Sequence, residues 1–477
     1  MSNENMTPAK TPRKVSTSVA ILAIIILAII FSCGFAIIKF NTMVVFLTAL
    51  IFAMILGLAH GYSLADVENF FIDGCKNAVM PSAILFTVGA VIGAWIVSGI
   101  VPTIVYYGLK ILTPSTFLIS GFIICCIISF FTGSSYTAIS TIGIALLGIG
   151  MGLGIHAPIT AGMVVSGALF GDKMSPFSDS TNLAAAVSGI NVFEHINSML
   201  YTTTPAFLIS AILYFVLGLR YSNMPLDLEK IEAINSTLSS VFNISPILLI
   251  VPIITIVLAI KKVPPVTALI ISALLGIIAA FIFQGGIYDF KTIVNSLGAG
   301  FSIETELADV NKLLSRGGMS GMMGNVLLAF LCLGMAGVLQ KIGMLDSLLS
   351  KMSRMVARKG GLVLTTLGMC AITTLVCASQ YVAILLPGQV MSNAYDKLNI
   401  KRKVLSRSLE DCGTVLCFII PWTTSGVYVS GVLGVDVLSY APYTFFCFLC
   451  PLMAIIYAIT GKFIWNKDEG EAEVLEN

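Results

Sequence analysis

Charge is what this chain has least of. Of its 477 residues only 10% are Asp, Glu, Lys or Arg, against 57% hydrophobic, and the mean hydropathy is +0.98. A soluble domain carries about a quarter charged residues, so a water-soluble fold is excluded and a polytopic membrane protein is left. The net charge of +2 gives nucleic acid nothing to bind. The three histidines, His60, His156 and His195, stand near the ends of apolar runs and read as lone interfacial residues. Eleven cysteines lie mostly inside apolar runs, Cys125, Cys126, Cys332, Cys370 and Cys377 among them, with no zinc-site spacing, and read as small buried hydrophobes. Nucleophile elbow, HExxH and phosphate loop are all missing. No enzyme and no cofactor is expected.

What is present is a succession of apolar runs, at 16–38, 41–59, 79–100, 117–131, 137–154, 157–171, 203–219, 245–260, 264–283, 323–340, 361–377, 382–393, 404–421 and 441–463. The expected fold is an all-α polytopic membrane protein with roughly 10–12 transmembrane segments, each a helix of about twenty residues. Runs 157–171 and 382–393 are short and bounded by polar or Gly/Pro residues, which predicts half-helices or re-entrant segments. The first run follows Lys10, Arg13 and Lys14 and is too long for a signal-peptide core. It reads as the first spanning helix, behind a cytoplasmic tail, 1–15.

Basic residues set the orientation. Lys261 and Lys262, the group from Lys341 to Lys359, and the group from Lys397 to Arg407 mark three cytoplasmic connections. Run 245–260 then starts outside, whereas run 16–38 starts inside. The halves match in layout: two close spans, an amphipathic connection, a third span, a pair broken by small polar residues, and a polar, Pro-containing interruption. The small-polar breaks are "FFTGSSYTAIS" (Phe130–Ser140) and "LVCASQYVAIL" (Leu375–Leu385). Equal layout with opposite orientation is the mark of an inverted-repeat secondary transporter. The division expected is repeat 1 over 16–220, an extracytoplasmic linker over 221–244, repeat 2 over 245–465 and a cytoplasmic acidic tail over 466–477, in a prokaryotic-type plasma membrane.

The stretch "GALFGDKMSPFSDSTNLAAA" (Gly167–Ala186) sets charge among apolar residues. Lipid cannot satisfy non-helical backbone, so a break at membrane depth survives only inside protein or against a wet cavity. Pro176 supplies no N–H and disfavours helix at Ser175, which predicts a break followed by a new helix from "SDSTN" into "LAAAVSG". Asp179 or Ser180 would serve there either as an N-cap or as a ligand. Asp172 has no helix start to cap, and a carboxylate at that depth costs about 2.5–3.5 kcal/mol on insertion scales. Lys173 either neutralises a carboxylate or snorkels to the surface.

The candidate cation and proton ligands are Asp172, Asp179, Asn182, Ser178 and Thr181, with Asp172 and Asp179 as the carboxylates that would touch Na⁺. In the second half Glu410 and Asp411 are either site residues or interfacial charges. Thr423 and Thr424 beside Pro421–Trp422 suggest a second broken helix, and Ser135, Thr137 and Gln380 could add neutral oxygens. Gly133, Gly171 and Gly413 would allow close backbone approach.

"GDKMSPFSDSTNLA" resembles the signature segment of the NhaC-type sodium/proton antiporters. "LEDCGTVLCFIIPWTTSGVYVSGVLGV" is similar to that family's second signature, except that Thr423 stands where the family often has Asn. The resemblance covers most of the chain. It implies the inverted repeats and re-entrant hairpins of the wider ion-transporter superfamily, and exchange of Na⁺ for H⁺. It also implies that some relatives couple Na⁺ and H⁺ to small organic acids such as malate and lactate, or to amino acids. The leading reading is therefore a Na⁺/H⁺ antiporter in which one carboxylate serves both ions by alternating access. The alternative is a Na⁺- or H⁺-coupled transporter of a small carboxylate or amino acid. Membrane lipids, Na⁺ and H⁺ are the partners expected, and a homodimer is open.

The orientation can be checked with single cysteines at Ser236 and Ser353, in a background without other accessible thiols. An impermeant thiol reagent on intact cells should label position 236 and leave 353 unlabelled. The reverse pattern would overturn both the orientation and the inverted repeat.

Overall fold

The computed structural model describes residues 15–38, 40–222, 228–354 and 358–467. Of the tails expected over 1–15 and 466–477, residues 1–14 and 468–477 lie outside the described residues. Within them the chain is helical, and the only β pairings are isolated bridges, Phe301 with Arg316 and Ile400 with Asn466.

The first half runs through α1 (Thr17–Ser32), α2 (Thr42–Ala59), α3 (Leu64–Lys76), α4 (Val79–Val97), α5 (Ile100–Ile111), α6 (Pro114–Thr132), α7 (Ser135–Gly152), α8 (Ala157–Met174), α9 (Asp179–Ser188) and α10 (Val192–Ser222). The 221–244 linker contains a helix, α11 (Leu228–Val241). The second half follows as α12 (Pro246–Ile260), α13 (Pro265–Gln284), α14 (Phe290–Ala299), α15 (Ala308–Leu314), α16 (Ser320–Lys341), α17 (Met344–Arg354), α18 (Lys359–Cys377), α19 (Gln380–Lys397), α20 (Arg402–Gly413), α21 (Thr424–Leu433) and α22 (Phe445–Thr460). Among the described residues eight helices are long and apolar enough to cross a membrane, or up to ten if each of two bent pairs is one span. The upper figure meets the lower end of the expected 10–12. Three shorter apolar helices, α1, α5 and α21, come in addition.

The order repeats. The pair α1–α2 corresponds to α12–α13, the amphipathic α3 to α14, α4 to α16, and α6–α7 to α18–α19. The broken pair α8–α9 corresponds to α20–α21, and α10 to α22. Local chemistry repeats with it. Asp66 closes a capping box with Ser63 at the head of α3, and hydrogen bonds from the Ser63 hydroxyl and N–H hold the Asp66 carboxyl below its usual range. Asp289 caps α14 at the matching place. The junction α6–α7 turns at Gly133 (φ +65°) and caps α7 with Ser134. The junction α18–α19 turns at Ala378 (φ +54°), with Ser379 as its N-cap residue. An alanine in the left-handed region is strained, so the second junction is held by its surroundings: the Ala378 carbonyl accepts from Thr424 N at 2.9 Å.

The expectation that 157–171 and 382–393 are half-helices is corrected here. Each extends into an 18-residue helix: α8 because Asp172 and Lys173 at its end are buried and stay helical, and α19 because its last turns continue through the exposed Asn393 and Lys397. The short segments are instead α9 and α21, ten residues each, just after the Pro-containing breaks.

These short helices tie the halves together. From its own half α9 crosses to pack on α19 and α20, and α21 crosses back onto α4 and the π-helical turn Ile139–Gly143 of α7. Helices α8 and α20 lie at the centre. Almost every residue of α8 from Ile159 to Met174, and every residue of α20 from Val404 to Gly413, is buried. At Gly171 a Cβ would stand 2.6 Å from Phe130 N, so α8 meets α6 backbone to backbone. Exposed apolar side chains belong to the outer helices, for example Ile25 of α1, Ile212 of α10, Ile253 of α12 and Ile282 of α13. The bundle thus turns apolar side chains outward and keeps a few charges, Asp172, Lys173, Arg407, Glu410 and Asp411, inside.

Candidate functional site

The breaks converge. A cavity of about 650 Å³ is lined by residues of all the junctions: Gly133, Ser134 and Thr137 at the head of α7, Phe177 and Asp179 at α9, Ser379 and Tyr381 at α19, and Thr424 and Tyr428 at α21. Four helix N-termini therefore border one space, each presenting N–H groups that no preceding turn satisfies.

Asp172 lies behind the wall. Its Oδ2 accepts from Ser135 Oγ at 2.7 Å and from Ser135 N at 3.1 Å, so the carboxylate sits on the first turn of α7, the positive end of that helix. It is 5% exposed. Lys173, the next residue on α8, turns elsewhere. Its Nζ is 2.8 Å from Asp411 Oδ1, and both side chains are fully buried. That settles the two readings of Lys173 in favour of pairing. Thr202 Oγ1 (2.9 Å) and Cys450 Sγ (3.2 Å) also donate to Asp411 Oδ1.

Glu410 has its own set of partners. His195 Nε2 is 2.8 Å from its Oε2, and Ser180 Oγ donates to Oε1 at 2.8 Å. The other ring nitrogen of His195 lies 2.9 Å from Ser406 Oγ, and imidazole and carboxylate are both fully buried. His195 is thus not the interfacial residue expected from sequence, and Glu410 and Asp411 are not surface charges. One signal was available: His195, Ser198 and Thr202 fall on one face of α10, and all three are buried.

The remaining candidates divide by position. Asp179 is the first residue of α9, exposed and on the cavity wall, while Ser178 provides the cap. Asn182 faces outward, its amide donating to Pro176 O at 2.9 Å and Ser178 O at 2.7 Å, which closes the turn of the break. Thr181 is buried, and its hydroxyl donates to Lys173 O at 3.1 Å, fastening α9 to the end of α8. Thr423 caps α21, its hydroxyl also reaching the carbonyls of Cys417 and Ile420. Thr137 and Thr424 line the cavity, Ser135 holds Asp172, and Gln380 is buried at the start of α19. Among the described residues no group of three or more His, Cys, Asp or Glu is placed to hold a metal ion.

Comparison with known proteins bears on this arrangement. The model of the Na⁺/H⁺ antiporter family matches residues 7–181 and 167–462. The malate-2H⁺/Na⁺-lactate antiporter of Bacillus subtilis is 41% identical over 413 residues, which is 87% of this chain and 88% of that protein. The Na⁺/H⁺ antiporter NhaC of Alkalihalophilus pseudofirmus is 39% identical over 439 residues, 92% of this chain and 94% of its own. NhaC of Bacillus subtilis is 38% identical over 445 residues, 92% of this chain and 97% of its own.

The buried ion pair gives a direct prediction. Lys173→Met strands Asp411 without a counter-charge, which should destabilise the protein by about 3–5 kcal/mol. Lys173→Met with Asp411→Leu should recover most of that loss. Thermal unfolding in detergent measures both. A single variant as stable as the parent would mean that the pair holds nothing together.

Proposed function

The chain belongs to the Na⁺/H⁺ antiporter family, and we propose that its exchange of Na⁺ for H⁺ turns on Asp172, with Asp179 as the carboxylate that meets the ion first. The observation that carries this reading is a difference among three buried acids. Glu410 faces His195 and Asp411 faces Lys173, whereas the hydrogen bonds to the Asp172 side chain come from Ser135 and Ser178, both neutral residues. Neutral donors only partly offset the cost of holding a carboxylate out of water. Either a proton or a sodium ion relieves the rest. The two exclude one another at a single carboxylate, so exchange is obligatory without a further device.

Asp179 stands on the cavity wall, where a hydrated ion arrives. Ser178, Thr181 and Asn182 lie beside it, and Ser135 and Thr137 with Thr424 and Gln380 of the other half complete a set of neutral oxygens suited to a hard cation. In this reading Glu410 and Asp411 hold the surrounding frame, and Thr423 fixes α21. Lys262 and Gln340 border the cavity next to the basic connections, which supports an opening toward the cytoplasm in this state. We read both termini as cytoplasmic and the membrane as the plasma membrane, on the ground of the basic residues, Lys10, Arg13 and Lys14 among them, that flank the membrane runs. A small carboxylate as additional cargo is the second reading. It is favoured by the volume of the cavity, which exceeds what a lone sodium ion fills, and by the malate and lactate in the name of one relative.

Purified protein in liposomes with an imposed pH gradient distinguishes the cargoes. Radiolabelled Na⁺ uptake without any organic solute is expected, and dependence on malate, lactate or an amino acid would transfer the assignment to the second reading. In the same assay Asp172→Asn should abolish sodium-dependent proton movement while the protein still inserts. Wild-type exchange in that variant would remove Asp172 from the site. Asp179→Ser leaves the Ser178 cap untouched and removes only the wall carboxylate, so the half-saturating Na⁺ concentration should rise severalfold. An unchanged constant would return Asp179 to a structural role and leave Asp172 alone.

A further inference from the structure

Lys262 is a topogenic charge on the sequence, and the structure gives it a second setting. Helix α12 ends in a turn in which Lys262 N donates to Ala259 O at 2.9 Å and Val263 N to Leu258 O at 3.1 Å. Lys262 occupies the left-handed position of that turn, φ +58°, which usually falls to glycine because a Cβ is disfavoured there. Pro264 and Pro265 then start α13 and fix the direction of the chain. A glycine would make this turn with less strain, so backbone geometry does not account for the lysine.

Its side chain reaches the cavity. The ammonium lies 5.2 Å from the centre of the Phe177 ring, within the roughly 6 Å over which a cation is held by an aromatic face. Phe177 belongs to the break between α8 and α9, two residues before Asp179. Among the described residues lining the cavity, Asp179 and Lys262 are the two that carry charge. A fixed cation from repeat 2 thus sits over the break of repeat 1, beside the wall carboxylate.

We infer that Lys262 is a tethered cation that competes with entering Na⁺ at the cavity mouth, and so sets the sodium concentration at which the transporter works. The inference rests on the reading that Na⁺ enters by this cavity. A positive charge near the route lowers the local concentration of other cations and shares the attraction of Asp179 and the Phe177 ring. Lys262 and Phe177 are both exposed at the mouth, so salt can screen the effect. A lysine that only anchors the turn at the membrane surface would leave the sodium constant untouched.

The test is sodium titration of exchange at fixed pH and low ionic strength, in liposomes holding the parent protein, Lys262→Gln or Lys262→Arg. Lys262→Gln should lower the half-saturating Na⁺ concentration about fivefold, the size expected for one unit charge at several ångströms in a wet mouth. Lys262→Arg should stay within about twofold of the parent, because the charge is kept. Half-molar choline chloride should close most of the gap, since the screening length then falls to a few ångströms. Lys262→Asn repeats the neutral variant with a residue that tolerates the left-handed turn, which separates charge from strain. Equal constants for parent and both neutral variants at low ionic strength would overturn the inference. So would a rise, which would make Lys262 a group that draws cargo in. Asp172→Asn is read separately in otherwise unaltered protein, so the coupling carboxylate and the tethered cation can fail independently.

Discussion

A carboxylate in the middle of a membrane protein must be met by something. Water is scarce, lipid offers no donor, and an uncompensated charge is expensive. This structure meets three such carboxylates in three ways. Asp411 is given a lysine, Glu410 a histidine with a serine, and Asp172 the head of a helix. The first two arrangements hold charge in place. The third gives Asp172 neutral partners, which is what the proposed exchange of a proton for an ion at that carboxylate rests on.

The crossing of the halves follows from the same constraint. Each Pro-containing break leaves polar backbone at depth, and that backbone has to be buried in protein. Packing α9 into the second half and α21 into the first accomplishes this for both breaks at once. It also makes each half part of the other's site. Ser180, in the first turn of α9, donates to Glu410 of α20, and the Tyr428 hydroxyl of α21 donates to the Tyr136 carbonyl of α7 at 2.9 Å. A shift of one break is therefore felt by side chains that belong to the opposite repeat. Alternating access needs such linkage, because two packed arrangements of the halves must exchange around one fixed site.

The cavity and the buried acids are neighbours with different tasks. The wall carries hydroxyls, aromatic rings and helix N-termini, with Asp179 and Lys262 as opposed charges. Asp172 stands one residue behind, screened by Ser135 between the wall residues Ser134 and Tyr136. Charge interactions at the buried Asp172 are less screened than those at the exposed Asp179 on the wall.

Sequence alone determined the membrane class, the helical fold and the positions of both breaks, and it singled out Asp172 as a charge at depth, which the structure buries. These depend on local quantities: hydropathy of a run, a proline that cannot donate, a charge without a cap to serve. The doubled layout was legible for the same reason, since matched hairpins need matched turn residues even where Gly133 is answered by Ala378. The lengths of α8 and α19 were misjudged because apolar runs end where polar residues begin, whereas a helix can continue through polar residues, buried ones in α8 and exposed ones in α19. The roles of His195, Lys173 and Lys262 were decided only by tertiary structure. His195 and Glu410 are 215 residues apart in sequence, and Lys173 and Asp411 are 238. A charge shows its own type in the sequence and nothing of its partner. Partners were chosen by which helices came to lie side by side, and here that choice gives Asp411 a lysine, Glu410 a histidine and Asp172 the head of a helix.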